Sequence, residues 1–509
     1  MRSLRILLLF LFLILLIILP YIFAFTTQGE DHVFSGFLVN PLDGNSYLAK
    51  MMEGYQGRWL FTLPYSQNPG SGEYIFLFYL FLGHLARVTG LSLIATFHIT
   101  RVLSVVFLFL VLYQFLRDYF DEEKEKIGLT LMIVILGSGL GWLLTPLGIK
   151  TSDLWVAEAF PLLASFQNPH FPLGLGLMIL TILQFFRKQN KFSLFFIFIC
   201  GAALAIILPF GAVVVGSVLL VQQVWVWIRK KEIHPFKLLI LALATLPLVV
   251  YQYLAVATSP ELAIWNSQNL TPSPPIWDFL ISFSPAMVLA GLSITKKFQV
   301  RNSELFTTLI AWLILGAIII YLPIGIQRRF MVGYYIPVSI LACTFLLSFP
   351  KRKTRILGIS ALLALTSLTI IIVFMAGFSA ILNKNPLIFL TKPEYEAVQW
   401  LKLNSKSGAL ILADSRMGMF LPGLTNSRVI YGHPFETINA MGKKQTVEDF
   451  FNCQYDLDEG SNYLSDNGVN YIFVSNVNLR ECYSQILNDA DIVFHAGDSS
   501  NFVEIYRLR

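Results

Sequence analysis

Acids, amides and aromatic side chains are concentrated between residues 30 and 58, just after the first long apolar run of the chain. Asp43, Asn45 and Tyr47 occupy alternate positions there, in the sequence PLDGNSYLAK. A carboxylate beside neutral hydrogen-bonding groups at a membrane edge can serve as a general base or as an acceptor of substrate hydrogen bonds. A solvated loop can have the same composition without any chemistry, so composition alone leaves both interpretations open.

A second pair of acids, Asp153 and Glu158, lies in the sequence TSDLWVAEAF. Together with Asp43, these acids could form a general-base site or, with one divalent cation such as Mg²⁺ or Mn²⁺, a metal site. Helix capping and exposure to solvent are the alternative roles of such loop acids. The sequence therefore predicts catalytic acids among these three residues and leaves the cofactor open.

Three arginines and a histidine could contact an anionic ligand. Arg328 and Arg329 adjoin in GIQRRF, on a membrane face otherwise poor in positive charge, and guanidinium groups suit phosphate oxygens. Their alternative role is to reach toward lipid head groups. Arg101 lies inside an apolar run and needs a partner, such as a loop acid or a ligand phosphate. His170, in QNPHF, opens another apolar run, where it could bind a ligand or only begin a helix.

The composition indicates the kind of structure that positions these residues. Of 509 residues, 55% are hydrophobic and 13% are charged, and the mean hydropathy is +0.65, so most of the chain must meet lipid. The net charge of +6 does not indicate a nucleic-acid partner, because Lys and Arg lie in short clusters between apolar runs. The sequence predicts a polytopic α-helical membrane protein.

Eleven apolar runs are long enough to span a bilayer, near residues 6–25, 94–116, 127–146, 169–186, 192–209, 211–228, 238–257, 276–294, 304–323, 331–349 and 356–376. With this assignment the basic clusters fall on one side, within residues 2–5, 117–126, 187–191, 229–237, 296–301 and 351–355. The positive-inside rule makes that side cytoplasmic. We therefore expect an amino terminus inside the cell and the residues after 377 outside it.

One further apolar segment, residues 74–88, would invert every later cluster if it were a span. It is interpreted as an interfacial or re-entrant helix of a first external loop, residues 26–93, because His84 and Arg87 suit an interface. Two short spans are the alternative.

The composition changes after residue 377, which divides the chain into a membrane domain, 1–377, and a small α/β domain, 378–509. A helix at KPEYEAVQWLKL and strands at GALILAD, RVIYG, NYIFVS, DIVFHAG and FVEIYRL are expected in the second domain. Cys453 and Cys482 lie there, and they could form a disulfide if the domain is extracytoplasmic.

The whole chain resembles the GT-C class of membrane glycosyltransferases, which contains oligosaccharyltransferase catalytic subunits, protein O-mannosyltransferases and the lipid A aminoarabinose transferase. The resemblance is carried by the first-loop acid in PLDGNSYLAKMMEGYQGRW, the second acid set in SDLWVAEAFPLLASFQNPH, QRRF and the external C-terminal domain. It implies that Asp43 is the first-loop catalytic acid, that Asp153 or Glu158 is the second, and that Arg328 or Arg329 meets a lipid phosphate. Tyr47, His170 and Arg101 are further expected substrate contacts.

The resemblance also implies an activity: an inverting transfer of a hexose or pentose from a polyprenyl-phosphate donor to an envelope or lipid acceptor. The site would lie at the outer face of the plasma (inner) membrane, with membrane lipid as a partner. A transporter or lipid flippase, or a non-catalytic protein of envelope assembly, is the alternative. The donor sugar, the acceptor and the oligomeric state are not readable from the sequence.

Overall fold

The computed structural model describes residues 2–231, 233–295, 302–476, 479, 482–483, 486–487, 490–498 and 501–508. The basic cluster Lys296, Lys297 and Arg301 lies outside them. The helices, numbered in chain order, are α1 Arg2–Thr26, α2 Pro41–Tyr55, α3 Leu77–Thr89, α4 Leu93–Tyr119, α5 Lys124–Leu136, α6 Ser152–Trp155, α7 Pro161–Gln167, α8 His170–Phe186, α9 Lys191–Ile207, α10 Pro209–Lys230, α11 Pro235–Thr258, α12 Pro260–Gln268, α13 Ile276–Phe283, α14 Ala286–Thr295, α15 Ser303–Ile319, α16 Tyr335–Leu347, α17 Arg352–Thr366, α18 Leu368–Leu382, α19 Lys392–Asn404, α20 Ser415–Thr425, α21 Ala440–Phe451 and α22 Leu457–Asn467.

Each predicted apolar run contains a helix, but the count of eleven spans is not confirmed. Among the described residues, α8, α9 and α15 have only 17 residues each, about 25 Å at 1.5 Å per residue against a hydrocarbon core of about 30 Å. The pair α13 and α14, bent by 83°, is a further span if it is one broken helix. Six helical segments of the described chain are long and apolar enough to cross a membrane: Ile6–Thr26, Leu93–Tyr119, Pro209–Arg229, Pro235–Thr258, Gln327–Leu347 and Arg352–Leu382.

The chain folds into two compact units. One, called here the helical unit, contains Met1–Pro20, His98–Tyr251 and Leu270–Phe378. The other, called the sheet unit, contains Tyr21–Phe97, Gln252–Asn269 and Ser379–Arg509. The sheet unit thus includes the segment predicted as the first external loop as well as the C-terminal domain.

The sheet unit is built on a mixed five-stranded sheet and a small two-stranded one. In the large sheet the strand order is β4-β3-β5-β7-β6, with β4, β3 and β5 parallel and β7 antiparallel to both of its neighbours. In the small sheet β1 pairs antiparallel with β2. The strands are β1 His32–Phe34, β2 Phe389–Thr391, β3 Leu410–Ala413, β4 Arg428–Val429, β5 Tyr471–Ser475, β6 Asp491–Gly497 and β7 Phe502–Arg507.

Strand β3 shows why this part of the chain forms an α/β layer structure. Every residue of LILA is buried, as expected of a central strand covered on both faces. Ile411 and Ala413 join one apolar cluster, whereas Leu410 and Leu412 join the cluster on the opposite face. The predicted α/β character of the C-terminal region is therefore confirmed.

Several helices were not expected from the sequence, and two of them belong to the sheet unit near Asp43. Residues 41–55, interpreted as loop, form α2, which begins with Asn40 in the left-handed region at φ 48° and Pro41 in the first turn. Helix α20 also went unpredicted, and it contains Pro422. The segment 74–88 largely becomes α3, whose 13 residues are too few to span a bilayer in one pass.

The sequence prediction for the two polar-region cysteines is confirmed. Cys453 and Cys482 form a disulfide with their Cα atoms 5.9 Å apart. Cys200 and Cys343 are buried free thiols, as their apolar surroundings in the sequence indicate.

Candidate functional site

In the sheet unit, polar groups gather around the first turn of α2. Asp43 lies in that turn, and its Oδ2 accepts a hydrogen bond of 2.5 Å from Asn40 Nδ2. Its side chain is 41% exposed, so the carboxylate is held by protein and still open to a substrate. A carboxylate at a helix N-terminus is also favoured by the helix dipole.

His433, from the segment after β4, faces this carboxylate. Its Nε2 lies 3.7 Å from Asp43 Oδ1, and the imidazole is only 2% exposed. Nδ1 accepts hydrogen bonds from the backbone N–H groups of Phe435 and Glu436, at 3.1 and 3.2 Å. Because Nδ1 accepts, the ring proton is on Nε2, which points toward the acid.

Lys50 and Glu436 form an ion pair beside His433. Lys50 Nζ donates to Glu436 Oε1 at 2.9 Å and to Ser46 Oγ at 2.6 Å, and Ser46 Oγ donates to the same carboxylate oxygen at 3.0 Å. The two charged side chains are 2% and 12% exposed. Asp43, Ser46 and Lys50 are three and four residues apart, so α2 presents them on one face.

The protonation of these groups follows from burial and charge. Burial is the largest influence on Glu436 and by itself would raise its pKa. The charge of Lys50, the electrostatic influence of His433 and the hydrogen bonds from Lys50 and Ser46 together leave that pKa below its ordinary value. Burial, and then the charge of Glu436, raise the pKa of Tyr65 well above its ordinary value. Tyr65 therefore remains a phenol, and it donates to the carbonyl of Met419 at 2.9 Å.

Aromatic rings enclose the ammonium group of Lys50. Its Nζ lies 4.6 Å from the ring centre of Phe76, 5.1 Å from that of Phe61 and 5.5 Å from that of Tyr47. Tyr47, an expected substrate contact, also stacks on Tyr79 with ring centres 4.3 Å apart. These contacts fix the face of α2 that carries Asp43.

In the helical unit, Asp153 lies in a closed hydrogen-bonding pocket. It is 1% exposed. Among the described residues its carboxylate accepts from neutral donors, namely Thr151 Oγ1 at 2.6 Å, Thr369 Oγ1 at 2.9 Å, Gly141 N at 3.0 Å and Ser282 Oγ at 3.2 Å. Burial raises the pKa of Asp153, and these hydrogen bonds oppose that rise. These hydrogen bonds connect Asp153 to the segments that carry Gly141, Ser282 and Thr369.

Two other expected site residues of the helical unit are buried. Glu158, in the 3₁₀ helix Ala157–Ala159, is 9% exposed, and its carbonyl accepts from Gly333 N at 2.8 Å. His170 begins α8, is 8% exposed and packs against the ring of Phe171 at 4.0 Å between centres.

The paired arginines lie in the 3₁₀ helix Gln327–Met331. The guanidinium carbon of Arg328 is 4.5 Å from the ring centre of Trp155, and that of Arg329 is 5.7 Å from the ring centre of Phe210. Both side chains are half-buried. Stacking on a ring orients a guanidinium while leaving N–H groups at its edges for an anion.

Arg101 is 1% exposed, and backbone carbonyls surround its guanidinium. Its guanidinium donates to the carbonyls of Ser165 at 3.0 Å and of Ile17 and Phe166 at 3.4 Å, and its Nε lies 3.3 Å from His98 Nδ1. Arg101 thereby joins α1, α4 and α7 within the helical unit.

A divalent cation does not fit what the described residues offer. No group of three or more His, Cys, Asp or Glu side chains in the described part of the chain is close enough to hold a metal ion. Asp153, one of the three predicted ligands, is already occupied by four protein donors.

Sequence reasoning missed Lys50, His433 and Glu436. Lys50 carried a usable signal, since it is seven residues after Asp43 and a helix would place both on one face. His433 and Glu436 lie in GHPFET, a segment without a recognisable motif.

The fold resembles solved membrane glycosyltransferases. ArnT from Cupriavidus metallidurans, bound to undecaprenyl phosphate, superposes with a TM-score of 0.56 at 12% identity over 98% of this chain and 97% of that one. The Archaeoglobus fulgidus oligosaccharyltransferase AglB, in complex with an inhibitory peptide and a dolichol-phosphate, gives a TM-score of 0.51 at 11% identity over 96% of this chain and 73% of the other.

These likenesses define the fold. The chain has the GT-C fold of integral membrane glycosyltransferases, as its sequence resemblance implied. No protein-family model matches the sequence, and no curated protein is significantly similar to it in sequence.

Proposed function

We propose that this protein is an inverting glycosyltransferase that moves a hexose or pentose from a polyprenyl-phosphate donor to an acceptor of the cell envelope or membrane. The observation that carries the proposal is the position of Asp43, held at the first turn of α2 and still 41% exposed. The GT-C fold supports it, and so do the undecaprenyl phosphate and dolichol-phosphate bound to the similar structures.

Asp43 suits the role of general base better than the other predicted acids. An acid that removes a proton from a substrate must be reachable by that substrate. Asp153 is 1% exposed and fully engaged with protein donors, and Glu158 is 9% exposed. We assign the base to Asp43.

The proposed transfer is a single displacement at the anomeric carbon. The acceptor hydroxyl oxygen bonds to the anomeric carbon as its proton passes to the Asp43 carboxylate. The bond from the anomeric carbon to the phosphate oxygen breaks, and its electron pair leaves with polyprenyl phosphate. Attack from the face opposite the phosphate inverts the configuration of the sugar.

Arg328 and Arg329 are proposed to bind the phosphate. The leaving phosphate gains a negative charge as the glycosidic bond breaks, and a preoriented guanidinium stabilises that charge. The Arg328 guanidinium stacks on Trp155 and so is oriented before a ligand arrives.

The first test is transfer of labelled sugar by purified protein in lipid nanodiscs. The donors are a panel of undecaprenyl-phosphate hexoses and pentoses, and the acceptors are envelope fractions. We expect Asp43→Asn to lower kcat about 10² to 10⁴-fold, since it removes a positioned base, with donor binding retained. Arg328→Ala and Arg329→Ala should mainly weaken donor binding.

Asp31→Asn is the matched control, because it removes an exposed acid of the same unit. It should leave transfer unchanged. Wild-type transfer rates in a folded Asp43→Asn protein, or loss of transfer in Asp31→Asn, would contradict the assignment of the base. Absence of transfer by the wild-type protein from every donor of the panel would refute the proposed activity.

A further inference from the structure

Hydrogen bonds and a close backbone approach to α20 fix the segment that carries His433. It lies in a tight segment where Thr437 Oγ1 accepts from the backbone N–H groups of Gly432 and His433. A Cβ atom at Gly432 would lie 2.1 Å from the carbonyl oxygen of Gly418, so the segment can approach α20 only with glycine there. The backbone that carries the imidazole is therefore fixed.

The two ring nitrogens have different surroundings. Nδ1 accepts two backbone N–H groups, whereas Nε2 is buried and has no hydrogen-bond partner among the described residues. Its neighbour is Asp43 Oδ1 at 3.7 Å. A buried N–H group without a partner is unfavourable, so its orientation toward a carboxylate calls for a functional reason.

We propose that His433 is a positioning residue for the catalytic carboxylate. This role rests on the proposed function of Asp43 as the base. The Nε2–H group of His433 holds Asp43 Oδ1 while Asn40 holds Oδ2. The carboxylate then keeps one orientation toward the acceptor hydroxyl. His433 itself takes no proton from substrate.

The charges around the imidazole agree with this role. Glu436 lies three residues after His433 and interacts with it electrostatically, but the Glu436 carboxylate is already paired with Lys50 Nζ at 2.9 Å. The ring of Tyr65 lies 5.6 Å from the imidazole between centres, and Tyr65 is an uncharged phenol. Asp43 is therefore the acid toward which the Nε2–H group is directed.

Two amide substitutions of His433 distinguish the role of Nδ1 from that of Nε2. In His433→Asn the side-chain oxygen takes the place of Nδ1, so it still accepts from the backbone, but no atom of the shorter side chain replaces Nε2–H beside Asp43 Oδ1. In His433→Gln the longer side chain brings an N–H group to the place of Nε2. A positioning role predicts that Asn lowers kcat by about 10²-fold, as expected for a misplaced catalytic group, with KM nearly unchanged, and that Gln restores much of the loss.

A purely structural role predicts the opposite order. The Asn variant keeps the backbone hydrogen bonds, so its thermal stability and activity would both exceed those of the Gln variant. Thermal unfolding of each purified variant in detergent is measured alongside kcat and KM. Equal kcat for wild type and His433→Asn would overturn the proposal, as would activity that simply follows stability.

A second measurement does not depend on transfer activity. Carbodiimide labelling of Asp43, followed by peptide mass spectrometry, should be faster in His433→Asn than in the wild type or in His433→Gln, because the carboxylate oxygen that faces the imidazole becomes more accessible to the reagent. If labelling changes in this way while the wild-type protein transfers no sugar, the proposed function fails and the contact stands. Unchanged labelling refutes the contact itself.

Discussion

At the scale of single residues, the ion pair of Lys50 and Glu436 is the most consequential contact of the sheet unit. Both charges are almost removed from water, which is unfavourable for each ion alone. Their mutual attraction, the Ser46 hydroxyl and three aromatic rings compensate for the lost hydration. The pair also fixes the segment that carries His433, only three residues before Glu436.

Glu436→Gln is predicted to destabilise the protein by about 3–5 kcal/mol, because it leaves the Lys50 ammonium buried without its counter-ion. Lys50→Met combined with Glu436→Leu should recover much of that loss. Thermal unfolding in detergent checks both variants. The single variant unfolding at the wild-type temperature would show that the pair is not stabilising.

The same pair predicts a pH dependence with a definite sign. The pKa of Glu436 is lower in the folded protein than its ordinary value of 4.5. Its contribution to stability is therefore complete above pH 4.5 and is lost as the pH falls through the lowered folded pKa. Glu436→Gln should show a smaller loss of stability over that acidic range than the wild-type protein.

At the scale of elements, the crossing of α2 and α3 decides where Asp43 lies. A Cβ atom at Gly54 would lie 2.0 Å from the carbonyl oxygen of Leu80, and one at Gly83 would lie 2.0 Å from that of Met51. The two backbones therefore touch where each helix has a glycine. Tyr47 and Tyr79 stack across the same pair of helices.

Gly83→Ala is predicted to force the two helices apart, lowering both the unfolding temperature and the rate of transfer. Overpacking of this kind typically destabilises by about 1–3 kcal/mol. Gly128→Ala is the matched control, since a Cβ atom in α5 would meet nothing within 4 Å and alanine favours helix. Equal unfolding temperatures for Gly83→Ala and wild type would disprove the close crossing.

At the scale of the whole molecule, we propose that the chain after residue 377 lies outside the cytoplasm. The clustering of Lys and Arg on one side of the predicted spans supports this orientation. The Cys453–Cys482 disulfide supports it independently, because such bonds persist in oxidising compartments.

A cysteine added after Arg509 is predicted to react with a membrane-impermeant maleimide in intact cells. Lys353→Cys is the comparison, since this exposed residue lies in a cluster assigned to the cytoplasm and should react only after lysis. The reverse pattern would invert the topology and remove the argument for an external site.

The sequence by itself determined the elements whose signals are local. Apolar runs marked helices of the helical unit, and alternating or continuous apolar segments marked the strands of the α/β region. The helix predicted at KPEYEAVQWLKL is α19, and at its start Glu394 Oε2 accepts from the backbone N–H of Thr391 at 2.8 Å. The sequence also drew attention to Asp43 among the acids of the first loop, through the neighbouring Asn45 and Tyr47 and through the resemblance to GT-C enzymes, and its catalytic role stays a prediction.

Only the tertiary structure decided which residues surround that acid. Lys50 and Glu436 are 386 positions apart in the chain, and no periodicity or spacing can pair residues across such a distance. Asp153 illustrates the same limit, because a loop acid that looks available in the sequence is closed in by Thr151, Ser282 and Thr369 once the helices pack. Whether a polar side chain is buried, and by which partners, depends on packing between distant segments, and that information is not local in the sequence.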